Sequence, residues 1–386
     1  MLQTGAMTQV TAEPLDVLRS RTSVKWTTYE PHVLPLWVAE MDYPLAPVIA
    51  QSMVDRVLAN DTGYVSSPAP LGAAFAGFAS KTWGWTVDPS SVFMSTDVSV
   101  AIVETLRLVL EPGDAVVITP PVYPPFFDLV PEAGGVVVEV PLIDSRLDLD
   151  GLEAAFAAGA KSFLLCNPHN PLGLVHTVAE LLAVSELADR YGVIVVSDEI
   201  HGPLVHSGTR FTPYLTVSDA AREHGIAVTS ASKAWNLAGV KCALMVAGSD
   251  RMHRLLTTLP DEVSFRTSIL GLHASVTAFE HGGEWLDGTI AAIEQSSALL
   301  QALLAQHLPL VRYTPPQASY LAWLDFREAE WGDDPSVRAL AAGVALNPGP
   351  GFGELGKGFA RLNLACSAEV LTEAIERLAR SSPPSS

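Results

Sequence analysis

Cysteine is scarce: Cys166, Cys242 and Cys366 are the only 3 in 386 residues, and they form no C-x-x-C pair. Their surroundings are apolar or strand-like. That excludes a disulfide framework and leaves buried free thiols in a reducing compartment. Basic residues are scarce too, with 23 Lys and Arg against 42 Asp and Glu, a net charge of −19. Such a field repels phosphate backbones, so no nucleic-acid partner is expected, although a small anion would feel its local pocket rather than the average. No apolar run reaches the roughly 18 residues that span a bilayer, so no membrane partner is expected either. The N-terminus lacks the basic-then-apolar pattern of a secretory leader, and the expected location is cytoplasmic.

Charged residues make up only 17% of the chain and hydrophobic ones 48%. A chain this long and this apolar exceeds one ordinary core, so two domains are expected. Residues 1–13 and 381–386 read as unstructured. From residue 92 a rhythm sets in. Strand-like runs at 92–95, 115–119, 135–141, 162–167, 193–198, 226–230 and 242–247 alternate with helical patterns at 99–110, 149–157 and 178–191. Alternation of this kind predicts an α/β fold with a mainly parallel sheet between helices. A long helix is expected over 285–308 and a strand over 320–326. Ser367 is placed to cap a closing helix with Val370, Leu371, Ala374, Ile375 and Leu378 on its apolar face.

In open α/β sheets ligands bind at the carboxyl ends of the strands. Lys233 follows one such strand, in Ser230-Ala231-Ser232-Lys233, and a lysine held in a dry crevice there becomes a nucleophile or base. Alone it would read as a solvated surface residue. Asp198 ends the apolar run Val193–Ser197, where a carboxylate needs a cation or donor, or else caps a helix. Asn170 stands between two prolines in Asn167-Pro168-His169-Asn170-Pro171, a stiff loop that pre-orients its amide. Tyr123, in a proline-rich loop, offers a ring for stacking. The helix opening at Val98 and Ser99 offers free N–H groups to a phosphate, with Ser230, Ser232 and Lys241 as further contacts. Asp97 stands where a glycine would serve better, so its side chain is expected to point away or to cap the helix. Together these are a Schiff-base lysine, a ring-nitrogen carboxylate, a phenolate donor, a stacking ring and a phosphate cradle, which are the needs of pyridoxal 5′-phosphate.

From about Leu18 to Leu378 the chain resembles the fold-type I, class I/II aminotransferase-like enzymes, and within them the cystathionine β-lyase group of MalY/PatB-type C–S lyases. The resemblance is carried by Leu18–Arg21 through Lys25-Trp26, Trp37-Val38-Ala39-Glu40-Met41-Asp42, the Asn167–Pro171 loop, Ser197-Asp198-Glu199-Ile200-His201, Ser230–Lys233 and Phe359–Cys366. It implies a large cofactor-binding domain over 44–283 with a seven-stranded mixed sheet, and a smaller α+β domain from 14–43 and 284–386. It implies a Schiff base at Lys233, Asp198 on the pyridine nitrogen, Asn170 and His201 near the phenolic oxygen, and Tyr123 against the ring. Val98, Ser99, Ser230, Ser232 and Lys241 would hold the phosphate. Arg361 would clamp the substrate carboxylate, with Asn170 and Glu40 also near substrate, and Lys233, Tyr123 and Asp198 would be catalytic. Tyr64 would reach the phosphate of the neighbouring subunit, which implies a homodimer. Glu40 departs from the aspartate usual in its block, and Asp97 from the usual glycine.

The activity implied is cleavage of L-cystathionine or related cysteine S-conjugates to a thiol, pyruvate and ammonia. An aminotransferase uses the same cofactor geometry, and no single residue separates the two. A third possibility, of another class, is a regulatory protein that binds a transcription activator.

Overall fold

A computed structural model describes residues 10–381. Seven strands form the main sheet: β1 (Val92–Ser95), β2 (Ala115–Ile118), β3 (Val136–Glu139), β4 (Ser162–Cys166), β5 (Ile194–Asp198), β6 (Gly225–Thr229) and β7 (Ala243–Ala247). Their spatial order is β1-β7-β6-β5-β4-β2-β3. Strands β6, β5, β4, β2 and β3 run parallel, while β7 is antiparallel to both of its neighbours. The predicted sheet is thus present, with each run within about two residues of its expected bounds.

Alternate residues of the central strands feed opposite faces. Val117, Phe163, Leu165, Val195 and Ala227 enter one apolar cluster, and Val116, Leu164, Val196, Ile226 and Val228 the other. A sheet covered on both faces needs apolar side chains at every position, which is why these strands read as unbroken apolar runs. Polar residues sit at the strand ends: Ser162 opens β4, with its hydroxyl donating to the Ile194 carbonyl at 2.8 Å, Asp198 closes β5 and Thr229 closes β6.

A second, four-stranded sheet is built from Arg312–Tyr313, Leu321–Asp325, Asn347–Pro348 and Phe359–Asn363. The predicted long helix covers Gly283–His307 and packs against the closing helix Ala368–Arg380. Ser367 caps the latter by accepting from the Val370 N–H at 3.1 Å. The N-terminal segment forms two short helices, Leu15–Leu18 and Val24–Thr27. Leu34–Pro35 pairs in parallel with Val344–Ala345, joining the N-terminal segment to the C-terminal one.

Two terminal expectations need correction. Residues 10–13 are anchored: Val10 is buried in the core, and Glu13 donates its N–H to the Asp42 carbonyl at 3.0 Å and ion-pairs with Arg21. Ser381 is tied by its carbonyl to Arg338 Nε at 3.0 Å. Polar neighbours far along the chain supply these anchors, and composition does not reveal them. Residues 1–9 and 382–386, also expected to be unstructured, lie outside the described residues. Among the described residues, no helix is long and apolar enough to cross a membrane, and all three cysteines are free and buried.

The segment Trp37–Asp42 crosses the carboxyl ends of the sheet and is held from below by a buried ion pair. Lys25 Nζ lies 2.5 Å from Asp42 Oδ1 and donates to the Glu40 carbonyl at 3.0 Å, with both side chains 1% exposed or less. Burial raises the Asp42 carboxyl and Lys25 opposes that rise. Breaking such a pair strands one charge without water, at about 3–5 kcal/mol, whereas replacing both partners by apolar groups costs far less. Lys25→Ala is therefore expected to lower urea-unfolding stability by about 3–5 kcal/mol, and Lys25→Met with Asp42→Leu by much less. A Lys25→Ala loss within ~0.5 kcal/mol of zero, as for an ordinary surface change, would show the pair to be dispensable.

Candidate active site

At the carboxyl ends of β4, β5 and β6 lies a cavity of about 230 Å³ lined by Tyr123, Asn170, Asp198, His201, Lys233 and the turn at Val98 and Ser99. Ser230, Ser232 and Lys241 also line it, so most of the predicted cofactor contacts converge. Arg361, Glu40 and Tyr64 are not part of this lining. Arg361 stands directly behind it, bonded to Asn170. Glu40 sits one residue past the lining residue Ala39 and accepts from the Ser23 hydroxyl at 2.6 Å. Tyr64 is 88% exposed, in a separate groove beside Phe265 and Arg266.

Lys233 occupies a single-turn helix, Ala231–Ala234, that starts at the end of β6. Ser230 caps it by accepting from the Ser232 N–H at 3.0 Å, and its own hydroxyl donates to the Cys242 carbonyl at 2.6 Å. This short turn aims Lys233 Nζ across the cavity to the Ala39 carbonyl at 3.1 Å. Burial, with the Arg361 cation next in size, pulls the amine down to about 8. Asp198 and Glu40 oppose that pull.

Asp198 is buried, and the one hydrogen bond to its carboxyl among the described residues comes from the Ile200 N–H at 3.1 Å. It does not cap a helix. Burial pushes its carboxyl up to about 7, against the Ile200 bond and the Lys233 charge. A buried carboxyl with a single donor is suited to a cationic N–H partner.

The Asn170 loop is pinned at several points. His169 Nε2 donates to the Thr119 carbonyl at 3.2 Å, tying this loop to the one that carries Tyr123. His176 Nε2 donates to the Cys166 carbonyl at 3.1 Å. The loop closes at Gly173, where φ is +61° and an added Cβ would lie 2.3 Å from Pro316 and 2.8 Å from the Ala318 carbonyl, so only glycine fits. Asn170 Oδ1 accepts from Arg361 Nη1 at 3.1 Å, which leaves its amide nitrogen to donate elsewhere. The second Arg361 nitrogen bonds the Trp37 carbonyl at 3.2 Å, the guanidinium lies 5.1 Å from the Phe352 ring, and Nε is buried with no hydrogen-bond partner among the described residues. Burial pulls Arg361 down to about 10.

Asp97 takes the capping role. It accepts from the Val100 N–H at 2.9 Å and pairs with Lys241 at 3.0 Å. The helix Val98–Val109 thus keeps the first N–H groups, those of Val98 and Ser99, for another acceptor. The unwelcome charge is balanced by Lys241, which contacts Asp97 as well as the cavity.

Several contributors escape a reading of sequence alone. Ala39 offers only its main chain. Cys166 lines the cavity beneath Asn170, accepting from its N–H at 3.3 Å. Tyr320, at the start of a predicted strand, donates its hydroxyl to the Ala39 carbonyl at 3.0 Å. His201 packs edge-on to Tyr320, with ring centroids 6.2 Å apart, and burial lowers it to about 3. The only sequence signal for Ala39 is its place inside a recognisable block, and for Cys166 its place just before one.

A parallel-centred seven-stranded sheet carrying a lysine past β6 and an aspartate at the end of β5 defines a fold-type I α/β transferase. The model of the family aminotransferase class I and II matches residues 31–378, and the chain belongs to this family. A relative from Mycobacterium leprae, named as a candidate cystathionine β-lyase, is 45% identical over 395 residues, covering 95% of this chain and 96% of its own. The cystathionine β-lyase of Corynebacterium glutamicum is 38% identical over 374 residues, covering 95% and 98%. Among solved structures, a candidate PLP-dependent β-cystathionase from Corynebacterium diphtheriae superposes with a TM-score of 0.92 at 36% identity, covering 96% of this chain and 98% of the other.

An amine lowered to about 8 is expected to react with aldehydes near neutral pH. Below the midpoint its rate falls about tenfold per pH unit as the ammonium takes over, and above it the rate levels off. Competitive reductive methylation of cofactor-free protein, read on the peptide bearing Lys233, should show a midpoint near 8. A midpoint at the ordinary 10.5 would mean that the cavity does not perturb this lysine.

Proposed function

We propose that this protein is a pyridoxal 5′-phosphate-dependent carbon–sulfur β-lyase acting on L-cystathionine or a related cysteine S-conjugate. The observation that carries the reading is the convergence of Lys233, Asp198 and Asn170 on one cavity, with Arg361 directly behind it. The named relatives support the choice of a β-lyase over other members of the family. The residues fit the cofactor. Asp198 is a buried carboxyl with one donor and suits a ring N–H. The N–H groups of Val98 and Ser99, with Ser230, Ser232 and Lys241, suit a phosphate. The amide nitrogen of Asn170 suits the phenolic oxygen, with His201 beside it, and Tyr123 suits the ring face. The buried Nε of Arg361 suits a substrate carboxylate.

When bound, pyridoxal 5′-phosphate supplies an electron sink that makes the substrate Cα proton removable. In this reading Lys233 would hold the cofactor and, as a free amine, would take that proton. An amine near 8 is matched to such a task at neutral pH. Asp198 would hold the cofactor's ring nitrogen protonated, and Arg361 would fix the substrate carboxylate and so orient its Cα–H. A thiolate leaves from Cβ, and hydrolysis of the remaining fragment yields pyruvate and ammonia. The thiol is homocysteine when the substrate is cystathionine.

We assign residues 44–283 to a cofactor-binding domain and residues 14–43 with 284–386 to a smaller one. The location of the seven-stranded sheet within 92–247 and of the four-stranded sheet within 312–363 supports that division. The same reading makes the protein a cytoplasmic homodimer in which Tyr64, exposed and outside the lining of its own cavity, serves the neighbouring site.

Purified protein loaded with cofactor is expected to release pyruvate and thiol from cystathionine with no keto acid present. Turnover only when a keto acid is added would instead make it an aminotransferase, the reading that the breadth of the family also allows. Lys233→Ala should lose at least about 10³-fold in kcat, and Arg361→Lys, which forfeits the bidentate fork, should raise KM about 10- to 100-fold.

A further inference from the structure

We propose that Tyr320 is a positioning residue for the Lys233 amine, acting through the main-chain carbonyl of Ala39. The proposal rests on Lys233 being the reacting amine, whichever reaction follows. Lys233 Nζ and the Tyr320 hydroxyl donate to the same Ala39 oxygen, at 3.1 and 3.0 Å. Tyr320 is 1% exposed, and its ring is braced edge-on against His201.

The shared carbonyl has little freedom to swing. Arg361 Nη2 holds the Trp37 carbonyl at 3.2 Å, and Asn363 Nδ2 holds those of Val38 and Glu40 at 2.9 and 2.7 Å. Lys25 also bonds the Glu40 carbonyl, and Asn236 Nδ2 holds that of Met41 at 3.0 Å. Neighbours on both sides of Ala39 are therefore fixed, and its oxygen is presented at one place. The carbonyl oxygen has a lone pair for each donor, but each bond draws charge from the oxygen and weakens the other. The Tyr320 hydroxyl thus weakens the acceptor that an ammonium at Lys233 would use, and disfavours the charged form.

Other charges bear on the same amine from several elements. Arg361 comes from the C-terminal sheet, Asp198 from the end of β5, Glu40 from the crossing segment and Lys241 from the turn before β7, while His201, just past β5, faces the amine as a neutral ring. Tyr320 itself faces Arg361, Glu40 and Tyr123. Removing one hydroxyl changes none of these charges, so its effect on Lys233 can be read separately.

Tyr320→Phe keeps the ring against His201 and removes only the donor. In cofactor-free protein, competitive reductive methylation should show the Lys233 midpoint raised by about half a pH unit to one unit. In the loaded enzyme kcat should fall about 10-fold or more, with KM within about threefold of the parent. The titration decides first: a midpoint that stays or falls overturns the proposal even if turnover drops, because a merely structural loss would not raise it. A raised midpoint with unchanged kcat overturns it as well. Should the Phe variant fail to fold, Tyr320→Met, apolar, flexible and without a donor, takes the same measurements. The titration needs neither cofactor nor substrate, so it stands even if no pyruvate is released and the lyase reading fails.

Discussion

An amine and a guanidinium share one water-poor space in this protein, and the rest of the site is arranged around that pairing. Burial alone would lower Lys233, and the Arg361 cation lowers it further. The repulsion is tolerable because each cation has fixed acceptors: the Ala39 carbonyl for Lys233, and the Asn170 amide oxygen and Trp37 carbonyl for Arg361. Neutral carbonyls satisfy the donors without restoring full basicity. A carboxylate in either place would pull the amine back up and leave it protonated at neutral pH. Asp198, the one buried carboxyl on the cavity wall, is itself held up to about 7, so it offers Lys233 only a weak counter-charge.

The crossing segment Trp37–Asp42 is what keeps those acceptors in place. It has no regular secondary structure, and its carbonyls would be costly to bury unsatisfied. They are met by donors from three distant parts of the chain: Lys25 and Arg21 before it, Asn236 beyond β6, and Arg361 and Asn363 in the C-terminal sheet. The segment therefore joins the two sheets as a strap of hydrogen bonds. Most of these bonds are to its main chain, so a change in the side chains that hold it should disturb the site. The buried Lys25–Asp42 pair belongs to this logic. Its value lies in fixing the strap, since a buried ion pair adds little net stability by itself.

Much of the fold could be read from the chain because the physics is local. The seven apolar runs are strands buried on both faces, and a run such as Val193–Val196 has no helical period to confuse it. Lys233, Asp198 and Asn170 were legible because each is a polar residue at the abrupt end of such a run. Other features were not legible because their cause lies far away in sequence. Lys25 reads as a solvated residue until Asp42 is seen beside it. Asp97 reads as a misfit until Lys241, 144 residues on, is found within 3.0 Å. Tyr320 reads as one aromatic in a strand, and Ala39 as nothing at all.

The residues themselves determined the α/β alternation, the free thiols, the strand ends where chemistry could sit and the family to which the chain belongs. Those are consequences of short-range pattern: periodicity, turn residues and blocks of recognisable sequence. Tertiary structure alone decided which charges meet, how strongly the amine is lowered, and that Tyr320 and Lys233 share one oxygen. Basicity and hydrogen-bond competition depend on distances of a few ångströms between segments hundreds of residues apart, and those distances exist only once the chain has closed on itself.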